Sequence, residues 1–165
     1  MSIIKNEYIS KYLFAGNAYF TLTSKKTNTH YTYNLHNKHN GRIYYVKLLD
    51  GHTTEYVGFI KKIYGTYRYF KGQTGKYDIS DKRIIALMWF INHMNDEDID
   101  TKVTFQHIGK CCKCGRKLTD PKSIELGIGP ECAKAVNYLD VWYADKLTAW
   151  NKYLMLLITD NIVYS

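Results

Sequence analysis

The chain lacks the features that would place it in or across a membrane. Its 165 residues contain no apolar run of about 18 residues, the length that a helix needs to span a bilayer. The first residues show no basic segment, apolar core and small-residue cleavage site of the kind found in secretory signals. We therefore expect a cytoplasmic protein with no membrane partner.

Common signatures of catalysis are also missing. We find no nucleophile elbow, no phosphate-binding loop and no paired acids beside a histidine. The zinc deaminase signature is absent because His107 has no glutamate two positions later and Lys110, not proline, precedes Cys111. We therefore expect a protein that is not an enzyme, with a zinc-dependent enzyme as the weakest alternative.

Cysteine is absent from most of the chain, and all four cysteines lie between residues 111 and 132. A disulfide framework distributes its cysteines so that they join distant elements, whereas a metal site gathers them. The clustering therefore favours a metal site over disulfides.

The spacing within this cluster is that of a zinc knuckle. Cys111 and Cys114 are separated by two residues and followed by Gly115, which relieves the strain where the backbone turns around the ion. Cys132 follows Pro130, a residue that favours the start of a helix, and a helix start stabilises a thiolate. A knuckle followed by a helix start resembles a treble-clef finger.

His107 is the expected fourth ligand because it lies four residues before Cys111. Cys112 is the competitor of Cys111, but its spacing to Cys114 is too short for a knuckle. The other histidines are more typical of solvated turns or a helix end. The prediction is one structural zinc ion (Zn2+), closed and tetrahedral, held by His107, Cys111, Cys114 and Cys132.

The segment around the cysteines resembles an uncharacterised family of small phage and prophage proteins. The shared pattern is Cys-x-x-Cys-Gly-Arg-x-Leu-Thr-Asp-Pro-x-Ser-Ile-x-x-Gly-Ile-Gly-Pro-Glu-Cys. Residues 18–29 and 55–60 and the helix containing Trp89 and Phe90 also look similar to the family's upstream region, so the resemblance covers residues 15–135. It implies the same four metal ligands, a phage origin and therefore the host cell cytoplasm, but no activity.

Periodicity predicts an α+β fold. Alternating residues predict strands at 18–24, 29–35, 42–49, 54–60 and 66–70, and turn signals such as Asp50-Gly51 and Tyr64-Gly65 separate them, which suits an antiparallel β-sheet. A helical period then begins after Ser80 or Asp81 and packs a helix on that sheet. We expect a β-rich domain at 1–98 with this helix at about 81–95, a small treble-clef-like zinc finger at 99–136, and a C-terminal helix at 137–165.

The net charge of +8 is unevenly distributed. Residues 1–80 hold 12 Lys and Arg against 4 Asp and Glu, and the strands there are rich in tyrosine. Exposed aromatic rings stack on bases while basic groups neutralise phosphates, although AT-rich coding alone also produces many tyrosines. The leading hypothesis is binding of DNA or RNA through tyrosines 31, 33, 44, 45, 67 and 69 and these basic residues: Lys25, Lys26, Arg42, Lys61, Lys62, Arg68, Lys110, Lys113, Arg116 and Lys117.

A counter-defence role is the alternative to nucleic-acid binding. An anti-CRISPR-like phage inhibitor would bind a host protein or ribonucleoprotein, and the C-terminal helix with Trp142 and Trp150 would supply aromatic anchors. The same helix is also the predicted interface of a possible homodimer.

Overall fold

Consecutive β-hairpins form most of the protein. The structure, a computed structural model, describes residues 2–38 and 42–136. Its hairpin strands pair in antiparallel order, which confirms the α+β class and the five predicted strands. They are β2 (Asn17–Ser24), β3 (His30–Asn37), β4 (Ile43–Asp50), β5 (Thr53–Ile63) and β6 (Thr66–Lys71).

Two further strands complete a curled seven-stranded sheet in the order β1-β7-β2-β3-β4-β5-β6. These are the short β1 (Ser2–Ile3) and β7 (Val103–His107). Strand β7 lies between β1 and β2, and Phe105 is paired with Leu22. Strand β7 therefore ties the cysteine-containing segment directly to the sheet.

The helices of the described residues are short except for one. They are α1 (Ile9–Leu13), α2 (Lys82–His93), α3 (Ile99–Lys102), α4 (Pro121–Leu126) and α5 (Pro130–Ala135), with a 3-10 turn at Asn6–Tyr8. Helix α2 begins where predicted, because the Asp81 carboxylate accepts a hydrogen bond from the Arg83 N–H at 2.9 Å. It ends two residues before the predicted Asn95.

Helix α2 packs its apolar face on one side of the sheet. Leu87 and Phe90 are fully buried, and the rings of Phe90 and Phe105 stack with their centroids 5.5 Å apart. The Tyr33 hydroxyl donates to the Arg83 carbonyl at 2.6 Å, which fixes the start of α2 over β3. Burying each such side chain contributes about 1.5–3 kcal/mol. The core therefore occupies this inner face of the sheet.

The predicted division into 1–98, 99–136 and 137–165 stays a prediction, although β7 belongs to the sheet and to the predicted finger at once. By compactness the chain divides into residues 1–129 and 130–165. The predicted C-terminal helix lies outside the described residues. None of the helices in the described part of the chain combines the length and the apolar character needed to cross a bilayer.

Candidate metal centre and outer sheet face

Residues 109–118 fold as the tight knuckle hairpin that the cysteine spacing predicts. The Cys111 N–H donates to the Arg116 carbonyl at 2.8 Å, and the Gly115 N–H donates to the Cys111 carbonyl at 2.9 Å. Gly115 has a φ of +77°, a value that glycine adopts without steric strain. The turn thus places Cys111 and Cys114 on one tight loop.

The three predicted thiol ligands come together. The Sγ atoms of Cys111, Cys114 and Cys132 all lie within 4.8 Å of one another, and α5, which carries Cys132, begins at Pro130 as predicted. Sulfurs bound to one tetrahedral zinc ion at about 2.3 Å lie about 3.8 Å apart, so small adjustments would let all three reach one ion. These cysteines can therefore hold a metal ion.

The electrostatics around Cys111 favour a thiolate. Burial by itself would raise the pKa of this thiol, but hydrogen bonds from the backbone N–H groups of Cys114, Gly129 and Lys113 and contact with the Cys114 side chain lower it overall. Metals bind cysteine as the thiolate, so the local backbone prepares Cys111 for that role.

Cys112 lies outside this cluster, and Cys111 lies within it, in the arrangement that the spacing favoured. Its side chain is fully buried. Its backbone N–H donates to the Gly127 carbonyl at 2.9 Å, and its carbonyl accepts from the Asn17 N–H at 2.7 Å. Cys112 thereby joins the knuckle to β2 and to the end of α4.

His107 requires a correction, because the structure does not bring it to the sulfurs. It is fully buried, its Nδ1 accepts from the Gly109 N–H at 2.9 Å, and its Nε2 donates to the Ile124 carbonyl. One ring nitrogen therefore donates and the other accepts, as in a neutral imidazole, and burial favours this form because it lowers the pKa of His107. Both ring nitrogens have partners, so the structure supports a role for His107 in joining β7 to α4 instead of in metal binding.

His107→Phe is therefore expected to keep any bound metal and to lose stability. The ring is retained, but the Ile124 carbonyl and Gly109 N–H lose their partners, which costs about 1–3 kcal/mol and lowers the melting temperature by about 4–8 °C. Elemental analysis and calorimetry of purified protein test both points. Loss of metal in this variant would restore His107 as a ligand.

The side of the sheet opposite the core forms a second candidate site, here called the outer face. Directly paired residues of neighbouring strands point to the same side. Three of the paired rows of the outer face carry the aromatic and basic residues: Asn17, His36, Tyr45, Phe59 and Phe70; Tyr19, Asn34, Lys47 and Tyr56; and Ile43, Lys61 and Arg68.

Aromatic rings lie close together on the outer face and remain partly exposed. The ring centroids of Phe59 and Phe70 are 5.4 Å apart, and those of Tyr45 and Tyr56 are 6.1 Å apart. The Lys110 Nζ from the knuckle lies 4.5 Å from the Tyr19 ring centroid. The outer face therefore combines rings and cations, and its cations come from both the sheet and the knuckle.

Only Tyr45 of the six predicted tyrosines lies on the outer face, and the other five point to the opposite side: Tyr31, Tyr33, Tyr44, Tyr67 and Tyr69. Tyr33 and Tyr44 are buried on the inner side, where their hydroxyls donate to the Arg83 and Phe14 carbonyls. Burial raises the pKa of Tyr33 far above its ordinary value. The alternation of side chains along each strand could have revealed this difference. Tyr44 and Tyr45 are neighbours in one strand and must therefore point to opposite sides of the sheet.

The predicted basic residues do not form one continuous surface. Lys61 and Arg68 are paired on the outer face, whereas Lys62 points to the other side, with its Nζ 5.3 Å from the Tyr67 ring centroid. The remaining ones are assigned as follows: Lys25 and Lys26 lie in the turn between β2 and β3, exposed Arg42 immediately precedes β4, and Lys110, Lys113, Arg116 and Lys117 belong to the knuckle hairpin.

Lysines that the prediction omitted add positive charge to the outer face. Burial lowers the pKa of His36, and the cations of Lys38, Lys47 and Lys113 lower it further. The Lys38 Nζ also lies 5.9 Å from the Tyr45 ring centroid. Within the described strands, no paired position of the outer face carries an acidic side chain. The charged side chains at the paired positions of the outer face are therefore all basic within the described strands.

Comparison with known proteins finds a match only for the segment that contains the cysteines. Fold and site define a mixed α+β protein with a cysteine cluster that can bind a metal. Residues 102–137 match the model of a family of unknown function (DUF6011). No curated protein and no solved structure matches the chain. The match shows similarity to a family of unknown function over these residues, while the predicted phage family, its motif and the phage origin stay predictions.

Proposed function

We propose that this protein is a small, non-enzymatic zinc protein that binds single-stranded nucleic acid through its outer face. The observation that carries the proposal is the row of partly exposed aromatic residues beside Lys47, Lys61 and Arg68, with no acidic residue in the described rows. A phage origin and location in the host cell cytoplasm belong to the same proposal and rest on the resemblance of the cysteine segment.

Stacking and phosphate contacts would work together on this face. Aromatic side chains such as Tyr45 and Phe59 can each contribute about 1–3 kcal/mol by stacking on a base. The lysine and arginine side chains that lie between the rings neutralise the phosphates of the nucleic acid. Neighbouring strands lie about 4.8 Å apart, a spacing that suits successive unstacked bases. A flexible single strand can follow a curled sheet, whereas a stiff duplex keeps its bases inside.

Zinc would position part of this surface. Three thiolates are soft ligands that suit zinc, and holding the knuckle closed keeps Lys110 beside Tyr19 and Lys113 beside Gly16. Within the described residues, no imidazole or carboxylate joins the three sulfurs as a candidate base. The donor set therefore favours a structural role for the ion over a catalytic one.

The proposal predicts binding that weakens steeply with salt. A fluorescently labelled 20-nucleotide single strand should bind in low salt, and the logarithm of its affinity should fall linearly with the logarithm of salt concentration, because counterions are released at each neutralised phosphate. Fluorescence anisotropy over a salt series measures this slope, with the same sequence as duplex for comparison. Absence of binding in low salt, or an affinity that does not change with salt concentration, would reject the proposal.

The counter-defence alternative remains a prediction. Its predicted docking helix, which is also the predicted homodimer interface, falls at residues 137–165 and lies outside the described residues. Pull-down from host lysate distinguishes it from the main proposal, since an inhibitor would retain one protein partner after nuclease treatment.

A further inference from the structure

A large apolar groove lies away from the outer face, on the α2 side of the sheet. Its volume is about 730 Å³, and its walls come from α2, from the β2–β3 hairpin and from the start of β7. Leu22, Tyr31 and Val103 form the sheet side, and Ile85 and Trp89 form the helix side. The volume is in the range of sites that enclose a drug-sized ligand or a short peptide.

Helix α2 carries apolar side chains beyond those that it buries in the core of the protein. Ile84, Leu87 and Phe90 are buried against the sheet, yet Ile85 remains 51 % exposed and faces the groove with Trp89, one turn further along. Large exposed apolar side chains that cluster in a concave surface mark binding sites. This second apolar stripe therefore indicates an interaction surface.

Four lysines surround the apolar floor. Lys25, Lys26, Lys82 and Lys102 line the groove, and no acidic side chain does so. Lys102 approaches Asp98 at 3.5 Å, whereas the described residues give Lys25, Lys26 and Lys82 no acidic partner within salt-bridge distance. The Lys25 N–H donates to the Lys102 carbonyl at 3.0 Å, which joins the hairpin to the end of α3, immediately before β7.

We propose that this groove binds an acidic peptide segment of a partner protein, with one or two apolar anchor residues inserted between α2 and the hairpin. Apolar anchors would fill the floor, and flanking carboxylates would meet the lysines, which sets orientation and association rate. Nucleic acid fits less well, because one face of the Trp89 ring is already stacked on His93 with centroids 4.6 Å apart. This inference does not depend on the outer face or on zinc.

Selection from a random twelve-residue peptide library tests it. The full chain and its Ile85→Asp variant are each used to select peptides, and one enriched peptide is then labelled for anisotropy. We expect the wild-type protein to enrich peptides that combine Asp and Glu with a large apolar residue. Their affinity should fall at least tenfold in Ile85→Asp and in Lys25→Glu/Lys26→Glu.

Two matched variants serve as controls. Ile79→Asp changes an isoleucine that is 52 % exposed but does not line the groove, so peptide binding should be unchanged. Lys61→Glu/Arg68→Glu alters the outer face and should leave peptide affinity intact. Thermal melts exclude unfolding in each variant.

Three results would overturn the inference. One is enrichment of peptides without acidic residues, or equal enrichment by Ile85→Asp. Another is a dimer that Ile85→Asp dissociates in sedimentation, since the groove would then hold a second copy of the chain. The third is loss of oligonucleotide but not peptide binding in Lys25→Glu/Lys26→Glu, since the lysines would then serve nucleic acid.

Discussion

Cys114→Ser is expected to abolish metal binding and to unfold the knuckle. Cys114 is exposed, so serine at this position changes the packing very little. A large loss of stability would therefore come from the loss of the thiolate ligand. Structural zinc supplies much of the folding energy of small finger segments. We expect the free energy of unfolding to fall by about 3 kcal/mol or more and the melting temperature by about 10 °C.

Cys112→Ala is the matched control for this experiment. It removes a neighbouring thiol that is buried but lies outside the cluster. Cys112→Ala should lose some stability through its cavity but keep the full metal content, whereas Cys114→Ser should lose the metal. Equal metal content in the two variants, measured by elemental analysis, would show that Cys114 is not a ligand.

Reversing the charge of Lys61 and Arg68 is expected to weaken oligonucleotide binding about 100-fold. Each lost phosphate contact is worth about 1.4 kcal/mol, which corresponds to a factor of ten. The slope of affinity against salt should also decrease by about 0.7 for each contact with a single strand. Lys61→Glu/Arg68→Glu compared with wild type in the anisotropy assay gives both values.

Lys62→Glu/Lys71→Glu provides a control with the same change in net charge. Lys62 follows Lys61 in β5 and points to the other side, and Lys71 lies on β6, paired with Gly58 and also off the outer face. We expect a loss of less than threefold for this pair. Similar losses in both double variants would mean that general charge, and not the outer face, determines binding.

The sequence predicted those parts of the fold that depend on local patterns. Hairpin turns at Asp50-Gly51 and Tyr64-Gly65 and the Asp81 cap follow from residue types over a few positions, and the structure has all three. Strand β7 was missed as part of the sheet because its pairing with β2 joins residues about 80 positions apart. Only the three-dimensional register shows such a partner.

The same distinction explains the metal site. The knuckle spacing and Pro130 were enough to predict that three sulfurs meet, because both are local features. His107 was assigned by spacing alone. Its real partners are the Gly109 N–H and the Ile124 carbonyl, and the second of these becomes a neighbour only when α4 packs beside β7.

Local sequence also fixes where α4 lies. The Asp120 carboxylate accepts from the Ser123 N–H at 3.1 Å at its start, and Gly127 ends it with a φ of +74°. A Cβ at Gly127 would come within 2.5 Å of the Tyr12 ring. Glycine is therefore required at position 127 both for its positive φ and because a Cβ has no space there. The lack of space is visible only in the structure.

X-ray absorption at the zinc edge of the purified native protein tests the central claim most directly. We predict one zinc ion per chain with about three sulfur neighbours at about 2.3 Å, contributed by Cys111, Cys114 and Cys132. Protein that is folded without a stoichiometric metal, or a zinc ion surrounded only by nitrogen and oxygen, would contradict the account.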